Sequence, residues 1–131
     1  VHGTINDLAV HGIDIIPWLT GRQIVEITAA RGWNARLGQH PSFQECGILM
    51  LRLDNKGSVM ADVSYLSPDQ QGYSVPSYWR FTISGLEGTV ETSATANAVH
   101  IYHGKRKEPE SVPLDLARPG GYVCYDLGVC R

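Results

Sequence analysis

The chain lacks any run of apolar residues near the roughly 18 that a membrane-crossing helix requires. Its opening also lacks the charged-then-apolar form of a secretory leader. Both absences point to a cytoplasmic protein with no membrane partner. Cysteine is scarce: three residues, Cys46, Cys124 and Cys130, are odd in number and widely spaced, so they form neither a disulfide framework nor the paired pattern of a zinc site. Basic charge is short as well. Eleven Lys and Arg against thirteen Asp and Glu leave a net charge of -2, and no basic cluster exceeds Lys105-Arg106-Lys107, which argues against a nucleic-acid partner. Also missing is a strand followed by Gly-x-Gly-x-x-Gly, the fingerprint of dinucleotide binding. What remains is ordinary: 131 residues, 43% hydrophobic and 18% charged, enough for one soluble domain to bury a core without staples.

One further absence is local. From Val1 to Gly21 there is no Lys, Arg, Glu or Gln, the residues that normally clothe a solvated helix face. The stretch Thr4 to Thr20 nevertheless reads as one helix, with Thr4 and Asp7 in the form of a capping box and Gly21 placed to end it in the left-handed conformation. Pro17 removes one helical hydrogen bond, so a kink or loosened last turn is expected there. At 3.6 residues per turn, Asp7, His11, Asp14 and Trp18 share a stripe, while Ile5, Leu8, Gly12, Ile15, Ile16 and Leu19 form an adjoining core arc. Short polar groups beside an apolar arc suggest a cleft. A carboxylate one turn before an imidazole can orient it and raise its basicity, as a general base requires; the same pair can equally be mutual structural support.

The rest of the chain reads as strands. Ile24 to Trp33 alternates, with Val25, Ile27, Ala29, Arg31 and Trp33 on one side, and a polar loop from Asn34 ends at Pro41. Glu45 to Leu53 and Ser58 to Leu66 flank Asp54-Asn55-Lys56-Gly57 as a hairpin, with apolar residues on both faces. Tyr78 to Ser84, a Gly85-to-Gly88 turn and Thr89 to Thr92 form a second hairpin, followed by Ala98 to His103 and a short strand at Val112 to Leu116. His100 and His103 point to opposite faces of their strand and cannot readily share a metal ion. Tyr122 to Arg131 reads as a helix start or a chain end. The fold class is α+β: an open, predominantly antiparallel sheet of five to seven strands with the N-terminal helix packed on one face.

His2-Gly3-Thr4, then Asp7-Leu8-Ala9-Val10-His11-Gly12-Ile13-Asp14 and Trp18-Leu19-Thr20-Gly21, resemble the signature that opens the second domain of the Gfo/Idh/MocA oxidoreductases. Ala9 stands where that family usually has Gly. Arg80 to Thr89 is similar to the family's strand, Gly-x-x-Gly turn and strand. The resemblance implies that residues 1–131 are a C-terminal substrate-binding and oligomerisation domain, detached from an N-terminal Rossmann domain that binds NAD or NADP and supplies a Glu-Lys-Pro lysine. No cofactor is then expected to bind this chain tightly. It further implies a sugar, cyclitol or related polyol as substrate, His11 as proton acceptor, Asp7 as its orienting partner and a structural Asp14. Asn6 is a candidate substrate contact, and Trp33 is either a packed aromatic or a wall of the sugar pocket. The two apolar sheet faces imply a homo-oligomer joined through one of them. Two other readings stand beside this one: a non-catalytic interaction domain of the same fold, and, disfavoured because spacing fixes no further ligand, a metal held by Asp7, His11 and His2.

Overall fold

The computed structural model describes residues 2–72 and 74–114, in two units, Val1–Ser67 and Pro68–Arg131, each taken by itself below. The first unit begins with β1 (His2–Gly3), a π-helical turn (Ile5–Ala9) and α1 (Val10–Thr20). Where the sequence suggests a capping box, Thr4 is itself helical and makes no cap. Its side chain is fully buried, and its hydroxyl donates to the Gln44 carbonyl at 2.9 Å, so the helix start is tied to the body by a long-range bond. The far end agrees with expectation. Gly21 takes a left-handed φ of 65° and returns its N–H to the Pro17 carbonyl at 2.9 Å, while the Thr20 hydroxyl donates to Ile16 at 2.7 Å, so carbonyls of the last turn are satisfied.

β2 (Ile24–Trp33), β4 (Cys46–Leu53) and β5 (Ser58–Ser64) form an antiparallel sheet with β4 in the middle. β4 alternates cleanly, with Leu49, Leu51 and Leu53 buried and Ile48, Met50 and Arg52 exposed. β2 does not. Register shifts between Ile24 and Glu26 and between Ile27 and Ala29 put Ile24, Ile27, Ala30 and Gly32 opposite the buried face of β4, Ala29 and Arg31 opposite exposed Met50 and Ile48 of its other face, and Trp33 on that same side opposite buried Cys46. A bulge consumes one residue of the period, so the single face expected for Val25 through Trp33 is divided. β3 (Phe43–Gln44) pairs in parallel with β1, a contact too short to carry any periodic signal.

The π-turn rather than α1 packs on β1, β4 and β5. Gly47 makes this possible: a Cβ there would lie 2.6 Å from Cγ1 of Ile5. No residue of α1 is fully buried; along the arc read as core, Ile5, Leu8, Gly12, Ile15 and Ile16 are half-buried and Leu19 is exposed, while Ala9 of the π-turn is buried. The second unit is a meander of β6 (Phe81–Gly85), β7 (Gly88–Thr92), β8 (Ala98–His103) and β9 (Glu110–Pro113). Ile83, Val90 and Ile101 stand side by side across it. β6 begins at Phe81 rather than Tyr78 because Trp79 has a φ of 47°, which breaks the extended chain. β9 lies two residues earlier than expected, and the readings for Leu116 and for 117–131 fall outside the described residues. Antiparallel sheets and one N-terminal helix make this an α+β protein, as expected.

Candidate active site

The π-turn carries Asn6 and Asp7 and ends just before His11. Single-turn π segments are rare and recur at functional sites. All three side chains are exposed, so none of them is sealed into a hydrocarbon core. Asn6 lines an open cavity of about 150 Å³ together with Gly3, Ile5 and Gln44. Two glycines seat Gln44 in that wall: a Cβ at Gly3 would meet its carbonyl oxygen at 2.9 Å, and one at Gly32 would meet its carboxamide oxygen at 2.3 Å. A larger cavity of about 480 Å³ belongs to the second unit, over Ile83, Leu86, Val90, Ile101 and His103.

Two residues not singled out from sequence shape the first site. Tyr65, one residue past β5, donates its phenol hydroxyl to Oδ2 of Asp7. Its own N–H reaches the Glu45 carbonyl at 2.9 Å, and its ring meets Phe43 with centroids 5.5 Å apart. Glu45 is only 1% exposed, yet it carries a carboxylate. One of its oxygens, Oε1, accepts N–H bonds from Ala35 at 2.8 Å, from Leu37 at 3.2 Å and from Arg36. Burial pushes this carboxyl upward, but the N–H groups of Arg36, Ala35 and Leu37, with the Arg36 charge, outweigh that and hold it below its ordinary value. The Asn34 side chain completes the brace, accepting from the Glu45 N–H at 3.2 Å and donating to the His40 carbonyl at 3.3 Å. These partners lie many residues apart in sequence, so no local pattern announces them.

Trp33 is not brought to this place. The register puts it on the sheet face opposite the one that Ile5 packs against, 40% exposed, with Ile48, Met50 and the 81%-exposed Met60 on the same side. Asp14 is exposed on α1. Burial raises the Cys46 thiol above its ordinary value, with the Glu45 and Asp62 charges adding to the effect, which suits an inert core cysteine. Among the described residues no three His, Cys, Asp or Glu side chains gather as a metal site, and no helix is long and apolar enough to cross a membrane.

Residues 1–91 match the GFO/IDH/MocA C-terminal domain. The chain belongs to this family. Among its GFO/IDH/MocA relatives is inositol 2-dehydrogenase 2 of Saccharopolyspora erythraea, 31% identical over 105 residues, an alignment covering 80% of this chain and 29% of that protein. A structure from Thermotoga maritima described as an oxidoreductase superposes with a TM-score of 0.70 at 27% identity, over 86% of this chain and 32% of its own. Another oxidoreductase structure, from Erwinia carotovora atroseptica, gives a TM-score of 0.68 at 28% identity, over 83% of this chain and 34% of its own. The GFO/IDH/MocA chain described here thus spans about a third of the length of the relatives it matches.

Proposed function

We propose that this domain, within a longer protein, provides the polyol pocket and the proton-transfer group of an NAD(P)-dependent dehydrogenase acting on a sugar, cyclitol or related polyol. The observation that carries this reading is the π-turn, which sets Asn6 at an open cavity's edge and Asp7 one turn before an exposed imidazole. His11 takes the proton of the substrate hydroxyl as the carbon–hydrogen bond gives up its electron pair and the carbonyl forms. Asp7 orients that imidazole and balances the positive charge it acquires, and Asn6 offers a carboxamide to a neighbouring hydroxyl. Such general-base assistance contributes about two to four powers of ten in rate. The dinucleotide's cradle belongs to the rest of the longer protein, since this sequence carries no strand followed by Gly-x-Gly-x-x-Gly. The nicotinamide, where bound by the longer protein, serves as hydride acceptor.

The relative that acts on inositol supports a cyclitol as the first substrate to try. The open sheet face with Trp33, Ile48, Met50 and Met60 supports self-association there, which favours packing for Trp33 over a place in the pocket. The test is nicotinamide reduction by the full-length protein with NAD+ or NADP+ and a panel of polyols beginning with myo-inositol. His11→Ala should lower kcat by about a hundredfold or more while cofactor affinity holds. Equal turnover in the variant, or reduction by residues 1–131 alone, would remove this mechanism.

A further inference from the structure

We infer that Tyr65 is a positioning residue for Asp7, an inference that rests on the polyol-oxidising reading above. Asp7 sits exposed on a π-turn, the kind of single-turn segment that recurs at functional sites. The bond that holds its carboxylate comes from outside the turn, from the Tyr65 hydroxyl. Tyr65 is built to do so because it is itself held at two points besides its hydroxyl. Its N–H bond to Glu45 continues the β4–β5 ladder by one residue, and its ring packs on Phe43 of β3. Behind those two points stands the Glu45 carboxylate, buried and pinned by the backbone of Ala35, Arg36 and Leu37. The chain of support thus runs from the loop at 35–37, through the β3–β4 corner, to the phenol and on to Oδ2 of Asp7.

The bond has a directional consequence. With Oδ2 already accepting from the phenol, Oδ1 keeps the greater capacity to serve a donor one turn along the helix, where His11 stands. A carboxylate free to rotate about its last bond would offer that oxygen only part of the time. Tyr65 removes the rotation and so sets the imidazole's orientation at second hand. Hydrogen bonds to charged groups are the stronger kind, and misplacing a reacting group by an ångström can cost a factor of a hundred in rate.

Two measurements on the full-length protein test this. Tyr65→Phe keeps the ring on Phe43 and deletes only the hydroxyl; with myo-inositol or the best polyol of the panel, kcat should fall about ten- to a hundredfold while KM and melting temperature stay near wild type. In protein carrying tyrosine labelled with carbon-13 at Cζ, the Tyr65 resonance, identified by its loss in Tyr65→Phe, should move in Asp7→Asn. Wild-type kcat in Tyr65→Phe beside an inactive His11→Ala overturns the positioning role and leaves the polyol reading standing. An unmoved resonance in Asp7→Asn overturns the pairing itself, whatever the activity. Should His11→Ala remain active, the polyol reading falls and the role of Tyr65 in catalysis falls with it.

Discussion

Gly47 offers a prediction in which structure and magnitude can both be checked. In Gly47→Ala the new Cβ would stand 2.6 Å from Cγ1 of Ile5, 3.2 Å from its Cδ1 and 3.4 Å from Cγ2 of Val63. Overpacking of this kind costs about 1–3 kcal/mol. Alanine also restricts the unfolded chain, which returns about 0.4–1 kcal/mol. The middle of those ranges leaves a net loss of about 1 kcal/mol, a fall in Tm of roughly 4–8 °C for a unit of this size. The sign should reverse when Ile5 is shortened. In an Ile5→Ala background the crowding atoms are gone, so Gly47→Ala should be neutral or slightly stabilising. Urea denaturation of the four proteins of this double-mutant cycle gives the coupling energy directly. Distant sites add to within about 0.3–0.5 kcal/mol, so additivity at that level would refute the contact between the π-turn and β4.

Two further predictions are simpler. Because the Glu45 carboxyl is held below its ordinary value of 4.5 in the folded state, its contribution to stability is complete above that pH and is lost as pH falls through the lowered value. Glu45→Gln should therefore be less stable than wild type at neutral pH, with the gap narrowing below about pH 4.5; a gap independent of pH would refute the assignment. Lys56 adopts a left-handed φ of 67° in the β4–β5 turn. Lys56→Gly should raise stability, by up to about 1 kcal/mol once glycine's greater unfolded freedom is subtracted, and a lower denaturation midpoint would contradict it.

Much of the fold was legible because period and punctuation are local. The span of β2, the left-handed Gly21, the two hairpins and the α+β class follow from alternation and from turn residues. What misled was also local. The Thr4 and Asp7 spacing mimics a capping box, but the Thr4 hydroxyl serves Gln44, 40 residues away. Alternation along β2 is broken by bulges that leave no mark in its composition. Asp7 and His11 could be picked out from their helical spacing and from the polar residues missing around them. Tyr65 could not, since it meets Asp7 across 58 positions.

Residue types and spacing by themselves marked out the helix, most of the strands and the one-turn separation of Asp7 and His11, and the likeness of residues 2–21 to a known motif pointed to the family, because each is written within a few turns of chain. Only the tertiary structure decided that the helix opens as a π-turn seated on Gly47, that Glu45 is buried against Ala35, Arg36 and Leu37, and that Tyr65 holds Asp7. Such contacts arise where distant segments meet, and their energies depend on closeness in space, which spacing along the chain does not encode.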